Sequence, residues 1–472
     1  MAKITYIAVV SVPMFSHQAS MVEFCKRLIS LHQHIHVTCI FPTIGTPTPA
    51  ITTLLESLPS TINHTFLTPV KEEDLPQGVP LFEQVQHAVT QSMPSFRNVL
   101  RSLCSTSPLS ALVVDAFANE AFELVREFNL LAYIYLPSSA MGLSTLMHFP
   151  SLNDQVLCDF KDHTEALKIP GCIPMQGHDF PSDLHERSNL SYKIFLECCK
   201  RFSLADGFLV NSFSEMEQGT VKALKEHYRG SNKASIYLVG PIIQTGPSSE
   251  SKNMSECVRW LEKQRPNSVL YVSFGSGGTL PQKQLDELAL GLELSGQKFL
   301  WVLRPPNDST EGAYIVAAKD DPLQFLPAGF LERTKEQGLV VPFWAPQTQI
   351  LSHTSTGGFL THCGWNSTLE SIMLGVPMVT WPLFAEQRMN AVLLTEGLHV
   401  ALRPKFNEKG VVEREEIAQV IKGLMLGEKG NEIRQRIEML KDAGVDALKE
   451  DGSSTRALSQ VAIRMENFQG HA

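Results

Sequence analysis

The sequence predicts two doubly wound α/β domains, each built on a parallel sheet, and three observations lead there. A chain of 472 residues exceeds what one hydrophobic core usually serves. Short apolar runs rich in Val, Ile and aromatic residues alternate with stretches of helical period, the pattern of β-α-β-α units whose strands run parallel. Between the two halves of that series lies Thr245-Gly-Pro-Ser-Ser-Glu-Ser-Lys252, a stretch with the composition of a linker. Residues 1–244 are therefore expected to form one domain and 254–450 a second, with a linker at 245–253 and a last helix within 451–472.

The first domain opens with a strand, Ile4 to Val10, a loop from Ser11 to His17, and a helix bearing Val22, Cys25, Leu28 and Ile29 at helical spacing. Ile35-His-Val-Thr-Cys-Ile-Phe41 is the next strand, completing a βαβ unit. Ala111-Leu-Val-Val-Asp115 reads as a buried strand that ends in an acid, and Asp206–Asn211 and Ile236–Gly240 as the last strands of this half. Pro42–Pro69 and Asp154–Ser188 lack a clear period and read as long loops, the usual carriers of ligand specificity above a rigid sheet.

His17 and Asp115 both fall just past the carboxyl end of a strand, where parallel sheets hold their ligands. An imidazole backed by a carboxylate is a general base, held in one tautomer and stabilised once protonated, provided the two meet at about 2.6–3.2 Å. Met14, Phe15, Phe117 and Met141 are candidates for an apolar wall beside them. His32, His34 and His36 alternate between a helix and a strand with no acidic partner nearby, so no metal site is expected.

In the second half, Ser268-Val-Leu-Tyr-Val-Ser-Phe-Gly-Ser276 is a strand running into Gly277-Gly278, followed by an amphipathic helix from Gln282 to Leu294. The turn suits a close approach to phosphate. Leu280 stands where a dinucleotide fingerprint has its third glycine, which argues against a nicotinamide-dependent oxidoreductase. Phe299–Arg304 and Leu339–Phe343 are further strands, with a polar, irregular loop between Asn307 and Pro327.

Residues 344–387 carry the densest chemistry. Gly358-Phe-Leu-Thr-His362 is a strand, Cys363–Ser367 a turn and Thr368–Gly375 a helix, with Asn366 or Ser367 as its expected cap and Gly375 with Pro377 as its stop. Ser367 and Glu370 also fit a capping box. Pro377–Leu383 and Ala385–Glu396 repeat the unit, with Trp381 as core and Cys363 as a buried thiol. His362, Asn366, Ser367, Glu386 and Gln387 then gather at one sheet edge. A helix start with His362 beside it suits phosphate. Trp344 and Trp365 offer flat faces for a base and a sugar ring, and Glu370, Glu386 and Gln387 offer hydrogen bonds to vicinal hydroxyls. These are the parts of a nucleotide-sugar site. Val400–Pro404, a helix around Glu416–Leu426, a charged helical region from Glu432 and a break at Asp451–Ser454 complete the chain.

The stretch that begins Trp344-Ala-Pro-Gln347, contains His362-Cys-Gly-Trp-Asn-Ser367 and ends Glu386-Gln387 spans 44 residues. It resembles the signature box of the plant secondary-product UDP-dependent glycosyltransferases in order, spacing and both ends. The resemblance implies the GT-B fold, two Rossmann-like domains facing across a cleft, with the last helix packing back on the first domain. It implies that Trp344 stacks on uracil while the Ala345 backbone bonds its edge, and that Gln347 and Glu370 hold the ribose. His362, Asn366, Ser367 and Ser276 would meet the phosphates, and Trp365, Glu386 and Gln387 the sugar. A closing Gln goes with glucose in that family, so Gln387 favours UDP-glucose; Glu386 stands where Asp is frequent. His17 would be the base and Asp115 its orienting acid. Here the loop before the base reads Pro13-Met14-Phe15, where the family is commonly Gly-rich.

The implied activity is inverting, metal-independent transfer of glucose to a hydroxyl of a small phenol, of phenylpropanoid, monolignol or flavonoid type. UDP-glucose is then a substrate and no cofactor is called for. The rivals are another donor such as UDP-xylose or UDP-glucuronate, and a nucleotide-sugar-binding protein without turnover. An Arg at 365 would have supported glucuronate, and loss of His17 or Asp115 would have signalled a protein without turnover.

Composition narrows the partners. A net charge of −9 and a pI near 5.9 argue against a nucleic-acid surface. Nine cysteines without a Cys-x-x-Cys point to a reducing compartment, and no apolar run approaches the ~20 residues that span a bilayer. A cytoplasmic monomer without a membrane or nucleic-acid partner is the expectation.

Overall fold

The computed structural model describes residues 4–227, 234–244, 252–309 and 320–468. Most of the expected linker, residues 245–251, lies outside them, as do residues 310–319 of the loop after Asn307. The chain divides into two compact units, one of residues 1–178, 183–244 and 444–472, the other of residues 179–182 and 245–443.

The first unit is a seven-stranded parallel sheet of β1 (Thr5–Val10), β2 (Ile35–Phe41), β3 (Ile62–Phe66), β4 (Leu109–Asp115), β5 (Leu131–Leu136), β6 (Gly207–Val210) and β7 (Ser235–Leu238). They lie in the order β3-β2-β1-β4-β5-β6-β7. The second unit has six parallel strands: β8 (Val269–Ser273), β9 (Lys298–Leu303), β10 (Gly338–Pro342), β11 (Thr356–Thr361), β12 (Met378–Thr380) and β13 (Ala401–Leu402). Their order is β10-β9-β8-β11-β12-β13. The direction of winding reverses between β1 and β4 in one sheet and between β8 and β11 in the other. Such reversals part the loops beyond the strands and open a crevice there.

The strands read as near-continuous apolar runs because helices cover both sheet faces. Ile7, Val9, Val37, Val113 and Tyr133 are buried in one cluster with Val22, Cys25, Leu28 and Ile29 of the helix Phe15–Leu31. The closing helix Ser453–Asn467 belongs to this unit and adds Leu458, Val461, Ala462 and Met465 to the same cluster. Leu458, Val461 and Met465 each contribute about 1.5–3 kcal/mol of transfer free energy. Arg27 Nη2 donates to Thr455 Oγ1 at 3.0 Å, and Arg464 Nη1 to the Asp206 carbonyl at 3.1 Å, fixing the helix in register.

Four features depart from the sequence reading. Pro42–Pro69 is not a plain loop: it holds the helix Pro49–Glu56 and strand β3. Pro49 starts that helix at its first position, where a missing N–H costs nothing, and Thr48 Oγ1 accepts from the Ile51 N–H. β3 is an edge strand with Asn63 and His64 exposed, so its apolar signal is faint. β5, Leu131-Ala-Tyr-Ile-Tyr-Leu136, also falls outside the expected elements although it is wholly buried. Finally, the alternating histidines do have an acidic neighbour, since Glu466 of the closing helix brings Oε1 to 2.5 Å from His34 Nε2.

Candidate functional site

Val10 of β1 stands opposite Val114 of β4, so the residues leaving the two strands emerge side by side at the winding reversal. The helix begins at Phe15, which places His17 on its first turn rather than in the preceding loop. His17 Nδ1 lies 2.8 Å from Asp115 Oδ2. Asp115 is fully buried, and its other oxygen accepts the Phe117 N–H at 3.0 Å, so the carboxylate is pinned from both sides. With Nδ1–H donating to the carboxylate, the basic nitrogen of the imidazole is Nε2.

Of the apolar candidates, Phe117 stands by the base, its ring 6.1 Å from that of His17. Phe82 and Phe195, which no sequence motif marks, complete an aromatic set with Phe117 at 5.6 and 6.4 Å. Met14 is half-buried at the N-cap. Phe15 packs instead against the hydrophobic core. Met141 is buried in the first turn of the helix Ala140–Gln155, where Glu217 accepts the Ala140 and Met141 N–H groups at 2.8 Å each.

In the second unit, Ser273 of β8 pairs with Thr361 of β11, and the chain segments that follow each strand meet. His362 is buried between two glycines. A Cβ on Gly275 would come within 2.5 Å of its Nε2 and one on Gly364 within 2.4 Å, so neither position accepts a side chain while the imidazole stays in place. Gly275 also has φ +76°, and Cys363 turns the chain through φ +66°, held there by Asn390 Nδ2 donating to its carbonyl at 2.9 Å. Burial, helped by the positive charge of Arg304, pulls the His362 pKa down to about 4, so the ring is neutral at ordinary pH. Its Nδ1 is buried without a hydrogen-bond partner. Arg304, at the end of β9, shares a small recess with Gly275, Gly278 and Thr279. Ser276 is exposed beside them.

The helix after His362 runs Trp365–Met373 with Gly364 as its cap residue, and no side chain caps it. The expectation that Asn366 or Ser367 caps it is therefore corrected: both lie within its first turn. First-turn N–H groups have no intrahelical partner, which suits an anion. The capping-box reading fails as well, because Gln347 Nε2 donates to both Ser367 Oγ at 2.8 Å and Glu370 Oε2 at 2.7 Å. Burial pushes the Glu370 carboxyl up to about 7, against the lowering effect of Gln347.

Trp344, on the turn after β10, is 45% exposed and presents a flat face, with Ala345 buried beside it. Trp365 is buried. Glu386 occupies the cap position of the helix Gln387–Val392, and Gln387 Oε1 accepts the Leu383 and Phe384 N–H groups at 2.8 and 3.1 Å. The carbonyl of Gln387 is thus committed to the loop. Asn390 and Arg304 are polar residues that the sequence did not single out; each lies in or next to an element that it did.

Residues 247–430 match the family described as UDP-glucoronosyl and UDP-glucosyl transferase. Over 464 residues, 98% of each chain, the sequence is 48% identical to the hydroquinone glucosyltransferase of Rauvolfia serpentina. The fold is similar to that of UGT2 of Phytolacca americana complexed with UDP-2fluoro-glucose and pterostilbene, with a TM-score of 0.89 and 43% identity over 98% of this chain and 100% of that one. It is equally similar to a Polygonum tinctorium UDP-glucosyltransferase capable of glucosylating indoxyl, solved with 3,4-dichloroaniline, with a TM-score of 0.91 and 43% identity over 99% and 100% of the two chains. Similarity of this extent runs through both parallel-sheet units, and the chain therefore belongs to the plant UDP-glycosyltransferases of GT-B fold.

Proposed function

We propose that the protein transfers glucose from UDP-glucose to a hydroxyl of a small phenol, with inversion at the anomeric carbon. The observation that carries this reading is the 2.8 Å contact between His17 and the buried Asp115 at the winding reversal of the first sheet. His17 Nε2 takes the proton of the acceptor hydroxyl as its oxygen attacks the anomeric carbon from the side opposite the departing UDP. Asp115 stabilises the imidazolium that results. A binding protein without turnover has no use for a base backed by a buried acid, and the relatives named above glucosylate hydroquinone or indoxyl.

In the second unit, Trp344 stacks on uracil and the Ala345 backbone bonds its edge. Gln347 and Glu370 hold the ribose, while Ser276, Asn366, Ser367 and His362 meet the diphosphate. A neutral imidazole and helix N–H groups there stabilise negative charge as it grows on the leaving UDP, so the reading needs no metal. Trp365, Glu386 and the amide of Gln387 face the glucose hydroxyls. Phe117, with Phe82 and Phe195, supplies the aromatic surface for the acceptor ring. Nine free thiols fit a cytoplasmic location. Among the described residues no helix is long and apolar enough to cross a membrane.

The test is product mass spectrometry after incubation with UDP-glucose and a panel of phenols, phenylpropanoid alcohols and flavonoids, with chelator present. A hexosylated phenol that vanishes with His17→Ala is expected. UDP-glucose binding without any modified acceptor would overturn the reading.

A further inference from the structure

Away from both sites, His32, His34 and Glu466 each offer a ligand atom, and all three atoms lie within 4.8 Å of one another. The two histidines come from the turn that joins the first helix to β2, and Glu466 from the last turn of the closing helix. Their rings stand edge to face with centroids 6.0 Å apart, at 89°. Ser459, one helical repeat before Glu466 on the same face, lies 3.1 Å from His32 Nε2 and orients that ring. We propose that these three side chains form a site for one divalent transition-metal ion, Zn²⁺ in the first instance, which clamps the closing helix to the first unit.

The chemistry of the donors selects the ion. Two imidazoles and one carboxylate suit Zn²⁺, with a water completing the tetrahedron, and disfavour Mg²⁺ or Ca²⁺, which take oxygen ligands. Bonds of about 2.0–2.2 Å in a tetrahedral site set ligand atoms roughly 3.3 Å apart. The His34 Nε2 to Glu466 Oε1 pair, now at 2.5 Å, has to open by less than about 1 Å, and the remaining separations close by about 1.5 Å at most. Side chains exposed to 26% and 30%, as those of His34 and Glu466 are, have the room for that. Without the ion, His34 and Glu466 simply share a hydrogen bond.

The site is remote from the base. His17 and His32 stand at opposite ends of the helix Phe15–Leu31, roughly 22 Å apart at 1.5 Å per residue. The ion is therefore a structural clamp, and its effect belongs to stability. It joins sequence positions on either side of almost the whole chain, and it binds the folded unit alone, so stabilisation grows with the logarithm of its concentration.

The experiment uses the full chain, stripped by chelator and freed of any affinity tag. Zn²⁺ is titrated by calorimetry and by thermal unfolding, with Mg²⁺ and Ca²⁺ as controls and Co²⁺ as a spectroscopic probe. One Zn²⁺ per chain is expected, with a rise in melting temperature that Mg²⁺ and Ca²⁺ do not give, and visible Co²⁺ bands. His34→Asn and Glu466→Gln should each lose the rise and the bands while keeping wild-type glucosyl transfer in metal-free buffer. Glu466→Gln retains an acceptor for His34, so its fold does not depend on the charge. Absence of any rise in the wild type, or an equal rise in both variants, would overturn the proposal.

Discussion

Gln347 and Glu370 meet at 2.7 Å, and the nitrogen that joins them also donates to Ser367. The two halves of this contact come from different β-α units, Gln347 from the turn of helix after β10 and Glu370 from the helix after β11. Burial places the carboxyl near pH 7 in the protein alone. A pair of sugar hydroxyls donating to it favours the ionised form and lowers that value.

UDP binding is accordingly expected to release a proton near neutrality, and its affinity to rise with pH through about 7. The sign follows from the order of the states: the unliganded carboxyl is partly protonated there and the liganded one is not. Calorimetry in two buffers of different ionisation enthalpy measures the proton. Glu370→Gln should abolish its release and weaken UDP by about 10–100-fold, the worth of a hydrogen bond to a charged group, about 1.5–3 kcal/mol. Proton uptake on binding, or none, would remove Glu370 as a ribose acceptor.

Asp115→Asn tests the base. One Asp115 oxygen accepts the Phe117 N–H and the other faces His17, so an Asn that keeps its carbonyl toward Phe117 turns its amide toward Nδ1. That amide donates, which forces the imidazole proton onto Nε2 and leaves no lone pair for the acceptor hydroxyl. Turnover should fall by about 10²–10⁴-fold, as with His17→Ala, and UDP affinity should stay unchanged. A variant that keeps most of its turnover would show that the carboxylate does not set the tautomer.

Much of this site was legible in the sequence because a parallel sheet sends its functional residues to the carboxyl ends of its strands. Asp115 closes a buried strand and His17 follows another, which allowed them to meet, and the family resemblance made the pair the expectation. What stayed hidden depends on contacts between distant segments. Glu370 three residues after Ser367 reads as a capping box, and nothing local shows that Gln347 reaches it first. Glu466 likewise meets His34 from the far end of the chain. β3 escaped because an edge strand with polar side chains has little period, and Pro49 marked a helix start where proline suggests a loop.

Gly275→Ala and Gly364→Ala should both displace His362, and comparing them separates two causes. At Gly364 the backbone is ordinary and the whole effect comes from a methyl within 2.4 Å of Nε2. At Gly275 the same crowding adds to a left-handed φ that costs an L-residue about 1–2 kcal/mol. Both variants should bind UDP more weakly, and Gly275→Ala should also be the less stable of the two by about that amount. Chemical denaturation and UDP titration read the two effects. Unaltered UDP binding in both would detach His362 from the diphosphate.

His362 also sets an acid limit on stability. Its folded value near 4 lies below the ordinary 6.5, so the unfolded chain takes up a proton from about pH 6.5 downward while the native ring stays neutral until about 4. Stability is lost as pH falls through that window, by about 3 kcal/mol at most. Glu370 works the other way. Its folded value near 7 lies above the ordinary 4.5, so this group alone stabilises the fold as pH falls from about 7 to 4.5. The two contributions overlap and partly cancel in the wild type, which is why single variants are needed to see either. His362→Gln should lose less stability than the wild type between about pH 6.5 and 4, and Glu370→Gln should lose more between about pH 7 and 4.5. Unfolding midpoints in denaturant, followed across that range, decide both, and a His362→Gln curve parallel to the wild type would mean that the ring accepts a proton in the native state.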